Sequence, residues 1–271
     1  MDAVSRTVDT GTDELLCRID RRVAVLTLNR PESRNALSEK LSPAMRRMIA
    51  SFAIDPAVRA VLITGAGNAF CAGGDVKGMG ANKSDMPLGQ RVTQLIERQR
   101  ALTGALVGLR KPTLAALPGP AAGAGLSLAL ACDIRIAATE SFVSTAYARI
   151  GLSGDYGISW LLTRTVGPAK ARELLLLLEK IDSKRCESIG LFNQVVTAET
   201  LAERAFAMAL ELADGPTHAY GAIKDNLDDA EAMGFCASLD REAERLIACM
   251  QTEEHREAVR AFIEKRRPVF S

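Results

Sequence analysis

Between Arg22 and Asn29 the chain reads RVAVLTLN, an alternating run with β-branched residues that predicts a strand. A second short run over Glu14–Asp20 precedes it, and Arg30-Pro31-Glu32 breaks the alternation. Apolar residues then recur at helical spacing over Ser38–Ala53, with Ser38 as the capping residue. Arg59–Thr64 is continuously apolar, as in a strand buried on both faces. Next comes a polar stretch, then an amphipathic helix over Arg91–Leu109 that Lys111-Pro112 stops. Thr113–Leu117 is another buried strand; a glycine-rich turn opens a small-residue helix, and Asp133–Ala138 is a further strand. From about Val195 the pattern is helical, over Ala198–Ala213, Thr217–Ala230, Cys236–Cys249 and Glu253–Arg266. Buried strands alternating with helices predict an α/β fold, with a core over 1–195 and a helical region over 196–271.

Composition narrows the function more than the fold. The 34 basic and 33 acidic residues give a net charge of +1, so there is no basic field for nucleic acid. No run reaches the roughly 18 apolar residues of a membrane helix. The opening MDAVSRTVDTGTDELL has no apolar core, so a signal peptide is not expected. Six cysteines lie far apart with no CxxC pair, and His218 and His255 are the only histidines. That predicts reduced thiols, a cytoplasmic protein and no metal site. Aromatics are 4% of the chain, too few for stacked-base or sugar platforms. A small molecule is the expected ligand.

Two glycine-rich turns follow buried strands: Phe70-Cys71-Ala72-Gly73-Gly74-Asp75 and Gly119-Pro120-Ala121-Ala122-Gly123-Ala124-Gly125. Small residues let a ligand approach the backbone and leave amide groups free to donate. Two amides converging on one carbonyl oxygen would stabilise an oxyanion. Either turn alone reads better as a tight turn packing helix on strand. Neither matches a dinucleotide fingerprint or a P-loop.

Together with LNRPESRNAL (28–37), AFCAGGDVK (69–77), KPTLAALPGPAAGAGLSLALACD (111–133), IGLSGDYG (150–157) and AFIEKRRP (261–268), these turns make the chain resemble the crotonase superfamily, the enoyl-CoA hydratase/isomerase group. The resemblance implies a spiral of ββα units with a C-terminal helical trimerisation region, assembled as a homotrimer or dimer of trimers. It implies acyl-CoA thioesters as substrates, coenzyme A being part of the substrate and no separate cofactor needed. The thioester oxygen would lie between the amides of Gly74 and Ala124, with Cys71, Ala72, Gly73 and Asp75 forming the first turn. Lys77 and Arg30 match positions near the CoA phosphates, and Phe262 and Lys265 match residues that reach a neighbouring subunit's CoA.

The catalytic acids depart from the hydratase pattern. The two glutamate positions of a hydratase hold Ser127 and Tyr147 here. Ser127 reads as a small residue in a tight helix. Asp155, in GLSGDYG, matches an aspartate of isomerase-type members, including ring-epoxide and dienoyl isomerases; on spacing alone it reads equally as a turn residue. One carboxylate facing an oxyanion hole can move a proton from one carbon to another, whereas hydration ordinarily wants a second acid/base group. Tyr147, Tyr156 and Trp160 are expected to line the acyl pocket, and His218 to start a helix. Three readings stay open: an isomerase or hydratase, a hydrolase or lyase on the same fold, and an acyl-CoA-binding protein without chemistry.

Overall fold

The computed structural model of the chain describes residues 5–75 and 86–270. Lys77 lies outside them. Each apolar run becomes a strand of one sheet: β1 (Arg6–Val8), β2 (Leu15–Asp20), β3 (Val23–Leu28), β4 (Ala60–Gly65), β5 (Thr113–Leu117), β7 (Ile134–Ala138) and β10 (Gln194–Val196), in the order β1-β2-β3-β4-β5-β7-β10. The first three are antiparallel and the rest are parallel from β3 onward.

A second, shorter set of pairings runs beside this sheet. Leu37 bridges Gly74, Cys71 bridges Ala121, and β6 (Ala121–Ala122), β8 (Phe142–Ser144) and β9 (Ile181–Asp182) form a three-stranded sheet. Successive units thus give one strand to the long sheet, one short segment to the second, and then a helix: α1 (Leu41–Ile54), α2 (Leu88–Gln99), α3 (Ala124–Leu130) and α4 (Ile158–Leu177, broken at Gly167 ahead of Pro168). That is the spiral of ββα units.

The two-residue side-chain period of the strands divides the core. Ala24, Leu26 and Leu28 face the helices with Met45, Phe52 and Phe70. Val23 and Val25 face the other way, with Leu62, Leu114 and Ile136, and are covered by Leu201, Ala205 and Ala209 of α6 (Ala198–Ala213). Core packing therefore continues past residue 195, to Ala213. Between α4 and α6 come β9, the short helix α5 (Ser183–Ser188) and β10.

The last three helices, α7 (Thr217–Ala232), α8 (Phe235–Met250) and α9 (Glu253–Ile263), touch the core mainly through charge. Buried Arg59 binds Glu254 at 3.2 Å and the Gly215 and Phe270 carbonyls at 2.8 and 3.0 Å. Lys224 pairs with Asp133 at 2.8 Å, and Arg110 pairs with Asp225. His218 starts α7 as expected, its N–H donating to Glu254. Among the described residues no helix is long and apolar enough to cross a membrane.

Two element boundaries depart from the sequence pattern. The amphipathic helix expected over Arg91–Leu109 begins at Leu88 and widens into a π-turn at Arg100–Gly104 before a last turn at Ala105–Val107. The helix expected from Ser38 starts at Leu41, with Ser38 Oγ accepting the Leu41 N–H at 2.9 Å.

Candidate active site

The two glycine-rich turns meet, and glycine is what lets them. Gly73 has φ +93°, and a Cβ there would stand 2.7 Å from the Ala122 carbonyl oxygen and 3.3 Å from the Ala124 nitrogen. A Cβ on Gly125 would stand 2.2 Å from the Cys71 carbonyl oxygen. Any larger side chain at either position would wedge the turns apart.

Planar trans peptides then aim two amides. The Gly73 carbonyl accepts the Leu37 N–H at 2.8 Å, so the Gly74 N–H of the same peptide points away from Leu37. The Gly123 carbonyl accepts from Leu126 and Ser127 at 3.0 and 3.1 Å, so the Ala124 N–H points out of the start of α3. Neither amide has an acceptor among the described residues. Nearby amides are turned inward instead: Ala72 N–H goes to Arg34, Ala122 N–H to Cys71, and Gly123 N–H to Ser144.

Cys71 is fully buried between the turns, and loss of solvation pushes its thiol up to about 12, so it is an inert packing group. Arg30 braces the first turn from behind. It donates to the Ala36 carbonyl at 2.6 Å and lies 3.4 Å from both Asp75 and Glu14. Its charge is thus engaged inside the chain, with Asp75 of the first turn as one partner.

A cavity of about 390 Å³ opens beside Gly74, between α1 and α2, and Asp155 and Tyr156 form its far wall. Asp155 Oδ1 accepts the Tyr147 hydroxyl at 2.6 Å. Ser127 Oγ, fully buried, lies 3.3 Å from Tyr147 Oη and donates to the Asp155 carbonyl at 3.2 Å. Sequence reading kept Ser127 apart from the chemistry; the fold joins it to Tyr147 and Asp155 in one network. Burial raises the Asp155 carboxyl above the ordinary carboxylate range, and the Tyr147 hydrogen bond pulls part of the way back. Burial and the nearby Asp155 charge push the Tyr147 phenol far up, so it stays a donor. Tyr156, at φ +50°, is held by its N–H donating to Gln99 Oε1 at 2.6 Å, from the residue where α2 gives way to the π-turn.

One residue expected to line the acyl pocket, Trp160, is not brought to this cavity. Trp160 is half exposed, with the Arg164 guanidinium 3.9 Å over its ring, and lines a separate cavity shared with Lys224 and Glu231 of α7. The reason is helical phase: Trp160 lies on the outer side of α4, opposite buried Leu161 and Leu162. Phe262 and Lys265, at the end of α9, are exposed, Phe262 at 86%. Conversely, the cavity wall includes Glu39, Arg46, Leu95 and Arg98, none of which carries a motif. The only trace of Glu39, Arg46 and Arg98 in the sequence is their place on polar helix faces, which any solvated helix also shows.

The chain matches the family model described as enoyl-CoA hydratase/isomerase over residues 18–271. It is 35% identical over 259 residues to the 1,2-epoxyphenylacetyl-CoA isomerase of Escherichia coli, covering 95% of this chain and 98% of that protein. Its fold overlays the crystal structure of an enoyl-CoA hydratase from Polaromonas with a TM-score of 0.89 and 33% identity, covering 95% and 99% of the two chains. An enoyl-CoA hydratase from Mycobacterium smegmatis overlays with a TM-score of 0.86 and 30% identity, covering 95% and 98%. With the ββα spiral, the paired turns and these likenesses, the chain belongs to the enoyl-CoA hydratase/isomerase family of the crotonase superfamily.

Proposed function

We propose that the protein shifts a carbon–carbon double bond within an acyl-CoA thioester, Asp155 carrying the proton and the Gly74 and Ala124 amides receiving the enolate oxygen. One observation carries this reading. Of the three carboxylates on the cavity, Glu39 and Asp75 are paired with Arg98 and Arg30, whereas Asp155 is held on one oxygen only, by a neutral phenol. Its Oδ2 has no partner among the described residues. A raised, half-paired carboxylate has the basicity and the free lone pair that proton abstraction needs.

Asp155 takes a proton from the carbon next to the thioester, and the electron pair moves onto the thioester oxygen, where the two amides donate to it. The carboxylic acid so formed returns the proton two carbons further along. One proton leaves and one arrives, so the step requires no water and no cofactor besides the CoA of the substrate. Ser127 and Tyr147 supply hydroxyls and no second carboxylate, which favours isomerisation over hydration. The Escherichia coli relative is itself named an isomerase. The exposed Phe262 and Lys265 are assigned to the CoA of an adjoining subunit in a homotrimer or dimer of trimers, and Lys77 to the phosphates of its own subunit's CoA.

The test is turnover of 2-enoyl- and 3-enoyl-CoAs in deuterated water. Interconversion with deuterium entering at the reprotonated carbon is expected. Net addition of water without a double-bond shift, or thioester cleavage, would overturn the proposal.

A further inference from the structure

Resting on the reading just given, a deeper inference concerns the end of the acyl chain. The cavity that holds Gly74 and Asp155 is walled by one stripe of α1 and the turn before it, Glu39, Ser42, Pro43 and Arg46, and by Leu95 and Arg98 of α2. The opposite stripe of α1, with Leu41, Ala44, Met45 and Met48, is buried in the core, so helical phase commits Arg46 to the cavity side.

The charges on this wall do not cancel locally. Arg98 pairs with Glu39 at 3.2 Å, and Asp75 pairs with Arg30. Arg46 is half-buried and has no ion pair or hydrogen bond among the described residues. It is close enough to Tyr156, on the far wall beside Asp155, for its charge to act on that phenol. Asp155, the other unpaired charge on the cavity, makes no ion pair with Arg46. A pocket made only for a hydrocarbon tail would gain nothing from a half-desolvated cation with no ion-pair partner in reach. A guanidinium presents a planar fork that matches a carboxylate with two parallel hydrogen bonds.

We propose that the acyl group taken by this cavity ends in a carboxylate, and that Arg46 receives it. The substrate class is then a monothioester of a dicarboxylic acid, held by the thioester oxygen at Gly74 and Ala124 and by its far end at Arg46, with Asp155 between. Holding both ends fixes the carbons against the Asp155 carboxylate, which is the positioning a proton shift requires.

The test uses saturated acyl-CoAs, which bind without turnover: hexanoyl-CoA against adipyl-CoA, and octanoyl-CoA against suberyl-CoA, measured calorimetrically. The wild type is expected to bind the carboxylate-ended member of at least one pair about 10- to 100-fold tighter. Arg46→Met should bring that ratio to about one, and Arg46→Lys, which keeps the charge, should retain part of it. Equal affinities in the wild type, or a preference that survives in Arg46→Met, would overturn the proposal. Because the readout is binding, it stays separable from the proton-shift reading. A carboxylate preference in a protein that turns over no enoyl-CoA would sink the chemistry and leave Arg46 assigned.

Discussion

The helix α3 and the helix α8 treat their apolar residues in opposite ways. All seven residues of α3 are buried, wedged between the glycine-rich turn and the sheet. In α8 Ser238 is the buried residue, while Phe235, Leu239, Leu246, Ile247 and Met250 stand exposed. Both are helices, yet α3 is buried all round by its own chain and α8 carries apolar residues that a single chain leaves uncovered. The difference separates a helix whose packing is completed inside the chain from one whose apolar side chains stay exposed; in the proposed reading the first serves the chemistry and the second the assembly.

The sharpest break of that comparison is in the core. Asp155→Asn keeps the size and removes the basic lone pair, so isomerisation should fall by about 10²–10⁴-fold while assembly stays the same. Its stability follows from the raised carboxyl. The folded chain holds that proton where the unfolded chain has lost it, so the contribution favours folding at low pH and is lost as pH rises through the folded value. At neutral pH the substitution should therefore leave the melting temperature unchanged or higher, and a marked drop would show that Asp155 serves the fold.

Gly74→Pro removes one amide donor. A loss of about 10²–10³ in kcat is expected, with acyl-CoA affinity retained as the check on folding; full activity would remove Gly74 from the oxyanion site. On the other side of the comparison, Leu246→Asp with Ile247→Asp should release monomers in light scattering, because charge replaces the exposed stripe of α8. A wild type that is already monomeric at micromolar concentration would break the contrast itself.

The smallest effect is the most diagnostic. Tyr147→Phe deletes the hydrogen bond that lowers Asp155 and leaves its burial, so the carboxyl should move further up. The acid limb of the kcat/KM profile should shift to higher pH with only a modest change at its plateau. A limb that does not move would reduce Tyr147 to a packing residue.

The strands β3, β4, β5 and β7 and the helices α6 to α9 were legible from periodicity, because a buried strand or an amphipathic helix writes its environment into the spacing of its apolar residues. The helix α4 was not, since Gly167-Pro168 interrupts its pattern and its two halves present different faces. The short pairings Cys71–Ala121 and Leu37–Gly74 were not legible as strands either, since two residues carry no period. Trp160 was expected in the acyl pocket as a large aromatic near the motif, but its place on α4 turned it outward onto Arg164.

The sequence by itself determined what local chemistry can encode, the alternation of strands and helices and the two turns that require small residues; the resemblance added Asp155, with Ser127 and Tyr147 at the hydratase glutamate positions. These follow from backbone sterics and from residue identity, which need no partner in space. Tertiary structure alone decided which side chains meet. Ser127, Tyr147 and Asp155 lie on three separate segments and are linked through a 2.6 Å hydrogen bond and its neighbours, and Arg46 faces the same cavity only because α1 packs with its other stripe on the sheet. The helix period states that Arg46 is on the polar side of α1; only the packing of α2 and the Asp155 loop across from it turns that polar side into the wall of a site.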